Sequence, residues 1–455
     1  MKRLLLVLAM LLIAGSVFAA ELKISGDAYV RGSEYSNLDL ADDGDDSTYD
    51  RFDYDLNLNL DFVVNEKATV KTKLTYDKDV DNSGKVADSA SDSTLAVERM
   101  YINYKFAPFL QLNTGLMAGG QWATTFGDSE INVMRVQFIG ALSKDMIFFA
   151  TYQKDNENGL EAVTDKDDNE KADQQTYYLS GIFNFGPISV KPLFTFTQMG
   201  INYNNEVYDA VYAGAYDLAY AAAVAGGATP YDAADAAYTA ADAAATAADN
   251  GKGYDATAMS FTLGLNGDFG MVGFESEFVY VDMDTDGFYD DYTTIAEALG
   301  AYDGATYGIY VNLFAKLDPV TVGFIYAYAS ADDEDGYYSW GEDFDIACVM
   351  DDFINNGDTN AATLYGDNLI GFTAYKVYVD AKAGAIKAGA AVIYGESNID
   401  DDDSKFTEID AYVGYAFDDN TSYTIGGGYA MTEDWDAEGD EENAYRVYNK
   451  FAVKF

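Results

Sequence analysis

Polar and apolar side chains alternate along much of the chain with a period of two residues. From Arg51 to Phe62 the odd positions are polar or charged, and the even positions are Phe, Tyr or Leu. Such alternation is typical of a strand with one wet face and one apolar face. After a short turn at 65–67 the alternation resumes as far as Asp77, which predicts an antiparallel hairpin.

The same alternation recurs throughout the chain. It predicts an all-β protein of about eighteen strands, with about sixteen as the alternative. The predicted strands are 22–35, 51–62, 70–77, 94–106, 109–118, 131–141, 145–154, 174–185, 187–198, 256–269, 271–282, 305–317, 319–330, 368–383, 385–396, 405–417, 421–431 and 443–455.

The connections between these strands alternate between short turns and long loops. This rhythm predicts a transmembrane antiparallel β-barrel with short periplasmic turns at one end and long acidic extracellular loops at the other. A closed sheet of about sixteen or more strands has a lumen too wide for side chains to fill. The polar face is therefore expected inside with water, and the apolar face outside with lipid. A β-propeller would need a shared blade repeat, and none is visible.

Composition and charge narrow the functional classes. The 455 residues carry a formal net charge of −50 and no histidine. Such a polyanion repels phosphate backbones, so no nucleic-acid partner is expected. The lack of histidine removes the usual general base and a common metal ligand, so no enzymatic reaction is predicted. The single cysteine, Cys348, cannot form an intrachain disulfide.

The first twenty residues have the pattern of a secretory signal peptide. Lys2 and Arg3 precede the apolar run 4–13, and small residues follow near Ala19. We therefore expect 1–20 to be removed on export and 21–455 to form the barrel. The apolar run is shorter than the ~20 residues that span a bilayer.

The last predicted strand alternates apolar and polar residues and ends on Phe455. It resembles the terminal strand of Gram-negative outer-membrane barrels, in which a final Phe is part of the membrane-assembly signal. With the signal peptide and the loop rhythm, the chain resembles the general diffusion porins. That resemblance implies an outer-membrane location, a homotrimer, and a third long loop folded into the lumen opposite basic residues.

The resemblance places the candidate constriction loop at 119–130, with Asp128 and Glu130 as its acids. The basic residues expected to line the pore belong to the first third of the barrel wall: Arg31, Arg51, Lys71, Lys73, Arg99, Lys105 and Arg135. A transverse field between such groups would orient polar solutes. The alternative is that these bases only form ion pairs with acids on neighbouring strands, such as Asp53 and Asp61.

Acidic runs in the long loops predict an anionic outer mouth and a mild cation preference. Asp282, Asp284 and Asp286 reproduce the opening of a calcium-binding loop, but Thr293 stands where that loop needs a bidentate Glu. We therefore expect no firm metal site and no cofactor, with weak binding of calcium in the acidic loops as the most that these residues imply.

The segment 207–249 breaks the β pattern because alanine and regularly spaced tyrosine dominate it. It predicts a helical loop insertion that either caps the mouth or enters the lumen.

The sequence thus predicts a passive, water-filled outer-membrane porin for small hydrophilic solutes and ions, in contact with outer-membrane lipid and lipopolysaccharide. Two alternatives remain. One is a substrate-specific porin whose Arg/Lys ladder binds an anionic nutrient, and the other is a plugged structural or adhesin barrel.

Overall fold

The structure is a computed structural model of the whole chain. It describes residues 21–36, 48–80, 95–128, 131–156, 174–201, 254–284, 304–332, 336–341, 344–350, 371–399, 403–433 and 442–455. The predicted signal peptide and the 207–249 insertion lie outside the described residues. Among the described residues, no helix is both long and apolar enough to cross a membrane.

Eighteen strands form one closed antiparallel sheet, which confirms the predicted barrel and its larger strand number. The first nine are β1 (Glu21–Ser36), β2 (Thr48–Val63), β3 (Ala68–Val80), β4 (Ala96–Ala107), β5 (Leu110–Gly119), β6 (Ile131–Ser143), β7 (Met146–Asn156), β8 (Gln174–Phe185) and β9 (Ile188–Ile201).

The second half contains the other nine barrel strands and one short pair. The strands are β10 (Tyr254–Asp268), β11 (Val272–Asp284), β12 (Gly304–Leu317), β13 (Val320–Ala329), the short pair β14 (Ala331–Asp332) and β15 (Gly336–Tyr337), β16 (Phe372–Ala383), β17 (Ile386–Ser397), β18 (Lys405–Ala416), β19 (Thr421–Glu433) and β20 (Glu442–Lys454).

The barrel closes where β1 pairs with β20. The register runs from Asp27 opposite Lys454 to Ser36 opposite Tyr445. Beyond it, Gly26 and Phe455 exchange two backbone hydrogen bonds of 2.8 and 2.9 Å. Closure leaves the sheet with no free edge, as a strand assembly in lipid requires.

Short turns join the strands at one end of the barrel. Several are stabilised by a side chain that accepts a backbone hydrogen bond two residues later. Asn65 accepts from Lys67 N at 2.8 Å, and Asp418 accepts from Asn420 N at 2.8 Å. Both termini of the sheet lie at this end, since Glu21 pairs with Val63 beside the first turn.

Apolar side chains cover the outer face of the barrel, and aromatic residues gather at its two rims. Exposed phenylalanines lie beside the short turns: Phe106, Phe109, Phe185, Phe269, Phe417 and Phe455. Exposed tyrosines lie toward the long loops: Tyr152, Tyr177, Tyr280, Tyr307, Tyr375 and Tyr429. Two aromatic girdles around an apolar band are the signature of a membrane-spanning barrel.

The small outward residues of β1 are covered by aromatic rings. A β-carbon on Gly26 would lie 2.8 Å from the Phe455 ring, and one on Gly32 would lie 2.9 Å from the Phe52 ring. Both glycines therefore accommodate rings of their own chain. They provide no support for close approach by a second subunit.

The buried apolar residues lie inside the barrel, on one part of the wall and on the segments that fold against it. They include Phe126, Tyr338, Trp340, Phe344 and Met350. The lumen is therefore partly filled by chain that enters from the long-loop end.

We predict that a charge on the outer face costs stability in proportion to its depth. Val377 is 60% exposed in the middle of β16, so Val377→Arg should destabilise the barrel by about 2–4 kcal/mol in lipid vesicles. Phe417→Arg, at the short-turn rim, is the control and should cost about 0–1 kcal/mol. Denaturant unfolding measures both, and equal costs would contradict the placement of Val377 at the centre of the membrane and of Phe417 at its edge.

Candidate functional site

The connection between β5 and β6 folds into a compact turn. Thr124 precedes a short 3₁₀ turn at Thr125–Gly127, and its hydroxyl accepts a hydrogen bond from Phe126 N at 3.2 Å. The Asp128 carboxylate accepts from Trp122 N at 2.5 Å. The segment therefore holds its own shape before it meets the wall.

This turn is attached to strands on another part of the wall. Glu277 on β11 is 3% exposed and accepts hydrogen bonds from Thr124 N at 2.8 Å and Thr124 Oγ1 at 2.5 Å. Lys191 on β9 donates to the Ala123 carbonyl at 3.1 Å, and its own carbonyl accepts from Trp122 Nε1 at 3.1 Å. The described part of the predicted constriction loop thus reaches from β5 to the β9–β11 wall.

A second segment, described over 338–341 and 344–350, follows β13 in the chain and enters the lumen before β16 begins. Its end is fixed by Glu408 on β18, whose side chain is fully buried. The Glu408 carboxylate accepts from the backbone N–H groups of Cys348 at 2.7 Å, Val349 at 2.7 Å and Met350 at 3.0 Å. Hydrogen bonds to a charged group are stronger than neutral ones, so this carboxylate is a strong anchor.

Two bases on neighbouring strands hold carbonyl groups of the same segment. Lys376 on β16 donates to the Ile346 carbonyl at 2.7 Å, and Arg446 on β20 donates to the Cys348 carbonyl at 3.1 Å. The segment therefore has its N–H groups bound by an acid and its carbonyl groups bound by bases.

The two inserted segments contact each other. The Phe126 ring stacks on Tyr338 at 5.9 Å and on Tyr310 of β12 at 5.7 Å, and it meets Phe344 edge-on at 5.3 Å. Gly341 N donates to the Phe126 carbonyl at 2.8 Å. Aromatic packing and one backbone hydrogen bond thus join the two segments across the lumen.

Several of the predicted pore-lining bases are paired with acids on adjacent strands. Arg31 Nε lies 2.8 Å from Asp53 Oδ2, and Lys71 Nζ lies 3.2 Å from Asp61 Oδ2. These pairs match the alternative interpretation, in which the bases neutralise neighbouring carboxylates.

A bulge in β4 brings two more bases to one carboxylate. Lys73 pairs in register with Arg99, and Glu98 is the extra residue of the bulge. Glu98 lies 2.6 Å from Lys73 Nζ and 2.9 Å from Arg99 Nη2, and Arg99 Nε donates to Asn132 Oδ1 at 2.9 Å.

Arg135 is the predicted base that contacts the start of the constriction loop. Its Nη1 donates to the Ala118 carbonyl at 2.6 Å, and its Nε donates to Gln153 Oε1 at 2.5 Å. The guanidinium carbon also lies 4.9 Å from the centre of the Tyr178 ring. Arg135 thus supports the point at which the loop leaves β5.

For the two remaining predicted bases, Lys105 and Arg51, the structure describes no side-chain contact with the inserted segments. Lys105 is exposed near the short-turn end, where its backbone N–H donates to Lys67 O at 2.8 Å. Arg51 lies opposite Ser33 in the β1–β2 register, and its side chain lies outside the described part of the structure.

Of the predicted acids, some lie among the described residues and others do not. Asp128 stabilises its own loop, and Glu130 lies outside the described residues. Asp282 and Asp284 are exposed on β11, and Asp286 lies outside the described residues. Among the described residues no group of three acidic or sulfur ligands is arranged to hold a metal.

Phe455 extends the β1–β20 ladder with its ring on the outer face.

Sequence reasoning missed Glu277, Glu408, Lys191, Lys376 and Arg446. The alternation of their strands places each of these five residues on the inward, polar face. Their partners are backbone groups of loops, which leave no pattern in sequence. The apolar residues between Trp340 and Met350, set in a loop, were the one signal of burial.

Comparisons with known proteins bear on the fold. No known family model and no curated protein matches the chain. The crystal structure of the outer membrane protein OpdK from Pseudomonas aeruginosa is similar, with a TM-score of 0.52 and 9% identity over 95% of this chain and 99% of that one. Pseudomonas aeruginosa OpdQ is similar too, with a TM-score of 0.52 and 11% identity over 95% and 99%. The chain therefore has the barrel fold of these outer-membrane proteins of Pseudomonas aeruginosa.

We predict that removing the buried carboxylate releases the second segment. Glu408→Ala should raise the rate at which a charged thiol reagent labels Cys348 by about tenfold or more, because three hydrogen bonds worth about 1.5–3 kcal/mol each are lost. Mass spectrometry of the folded protein in detergent measures the rate.

Glu396→Ala is the matched control for this experiment. Glu396 on β17 accepts from Tyr394 Oη at 2.8 Å, and among the described residues it makes no hydrogen bond to the inserted segment. Its labelling rate should equal that of the parent protein. An unchanged rate in Glu408→Ala would contradict the anchoring role.

Proposed function

We propose that this protein is a passive, water-filled channel of the Gram-negative outer membrane through which small hydrophilic solutes and ions diffuse. The observation that carries the proposal is the two-sided wall, which is apolar and aromatic outside and charged inside, in a closed barrel of eighteen strands. A barrel of this size encloses an aqueous lumen. The two joined segments would then form its constriction.

The charge distribution supports a mild preference for cations. Arg31, Lys71 and Lys73 are each paired with a carboxylate, so their field in the lumen is partly neutralised. The whole chain carries a formal net charge of −50. Negative charge around a pore raises the local cation concentration.

A specific channel for an anionic nutrient is the second candidate. A lumen cavity of about 610 Å³ is lined by four bases, Arg31, Lys376, Arg446 and Lys450, together with Asp345, Asp380 and Asp410. Saturable block of the current by a small carboxylate would favour this candidate over free diffusion.

We assign no catalytic step to the chain, which contains no histidine. Its proposed partners are outer-membrane lipid along the apolar band and lipopolysaccharide near the long-loop rim, and its proposed assembly is a homotrimer. Crosslinking in native membranes tests that assembly.

We predict stepwise conductance with a cation-side reversal potential in planar bilayers under a potassium chloride gradient. The preference should weaken between about 0.1 M and 1 M salt, because the Debye length falls from about 10 Å to about 3 Å. An anion-side potential would mean that the basic residues of the cavity determine the ion selectivity. Absence of current through correctly folded protein would overturn the open channel and favour the plugged structural barrel.

A further inference from the structure

Two tyrosine rings in the lumen lie directly on glycines of the neighbouring strand. Tyr378 on β16 is opposite Gly323, and a β-carbon on that glycine would lie 2.3 Å from Tyr378 Cζ. Tyr412 on β18 is opposite Gly389, where a β-carbon would lie 2.4 Å from Tyr412 Cε1. Since only glycine leaves room for this contact, each ring packs against the wall.

The arrangement continues on both sides of this pair. Phe314 lies over Gly273, and Tyr448 lies over Gly426. The Arg446 guanidinium carbon lies 5.3 Å from the centre of the Tyr448 ring, so a cation already occupies a face of that ring. Tyr378 and Tyr412 are the two central rings of this row, and both border the cavity, as does Tyr448 at the end of the row.

Hydrogen-bonding groups lie at the edges of these two rings. Tyr412 Oη donates to Asp380 Oδ1 at 2.7 Å, and Tyr378 Oη donates to Asn312 Oδ1 at 3.1 Å. Each phenol oxygen retains lone pairs to accept from a ligand hydroxyl, and each partner oxygen retains further acceptor capacity. Both rings and Asp380 line the same cavity of about 610 Å³.

Each of the four bases of this cavity makes at least one contact within the protein. Lys376 and Arg446 donate to carbonyl groups of the inserted segment, and Arg31 is paired with Asp53. Lys450 Nζ lies 3.8 Å from the centre of the Tyr29 ring. These contacts use donor groups that an anion would need, while the rings leave aromatic surface and acceptor oxygens for a neutral solute.

We infer that Tyr378 and Tyr412 form a subsite for neutral pyranose sugars on the lumen wall. A pyranose ring has an apolar C–H face that packs on an aromatic ring, and a rim of hydroxyl groups that reach acceptors at the ring edges. The cavity lies in the size range of small-molecule sites, about 300–1,000 Å³. This inference deepens the proposed channel function and rests on it for its role in transport.

The test uses single-channel current in planar bilayers with glucose and maltotriose added to one side. The sugars should interrupt the current in a saturable manner. Tyr412→Ala should raise the half-blocking maltotriose concentration about fivefold, the size expected for one lost aromatic contact. Gly389→Ala should act similarly, because its β-carbon displaces the Tyr412 ring and Asp380 while both side chains remain.

Tyr415→Ala is the matched control, since Tyr415 is on the same strand but is 48% exposed on the outer face. Its half-blocking concentration should not change. Conducting channels that maltotriose does not block would overturn the sugar subsite and leave the channel intact. Block by glucuronate without block by glucose would overturn it in favour of an anion site.

Calorimetric titration of the detergent-folded protein with maltotriose separates the two proposals. A barrel that binds maltotriose but passes no current would support the subsite and overturn the channel. A barrel that neither passes current nor binds maltotriose would overturn both. Binding that Tyr412→Ala and Gly389→Ala weaken equally, and that Tyr415→Ala leaves unchanged, is the expected result.

Discussion

Every feature of this molecule depends on one constraint, which is that a strand in lipid has no water to satisfy its backbone. Each N–H and C=O group must find a partner within the sheet, so the sheet has to close. The β1–β20 pairing and the Gly26–Phe455 hydrogen bonds meet that requirement. Once the sheet is closed, the period of two sends alternate side chains to lipid and to the lumen, and this division produces both the aromatic girdles and the charged interior.

The same constraint explains how the lumen is filled. A wall of eighteen strands cannot be packed by its own side chains, so segments of the connecting loops enter and must satisfy their own polar groups there. Glu277 and Glu408 provide acceptors for loop N–H groups, while Lys191, Lys376 and Arg446 provide donors for loop carbonyl groups. Charged side chains on rigid strands thus position the two segments whose contact at Phe126 narrows the interior.

The strand pattern was predictable because it is local. Alternation along a strand needs no knowledge of its neighbours, and the eighteen predicted strands coincide with those observed to within a few residues. The pairing of Arg31 with Asp53 was also foreseeable, since both lie on inward positions of adjacent strands. The inward fold of 338–341 and 344–350 was not predictable, because a loop that folds inward uses backbone groups as partners, and Glu408 looks in sequence like any other inward acid. The Glu98 bulge was hidden for a similar reason, since one extra residue shifts the register without changing the composition.

The most direct test of this account is thiol accessibility along one strand in lipid vesicles. Single cysteines at 376, 377, 378 and 379, placed in a Cys348→Ala background, would be exposed to a water-soluble thiol reagent. We predict that Lys376→Cys and Tyr378→Cys react, and that Val377→Cys and Val379→Cys are protected by lipid. Equal reactivity at all four positions, or protection of the first pair, would contradict a barrel with an aqueous interior and an apolar outer face.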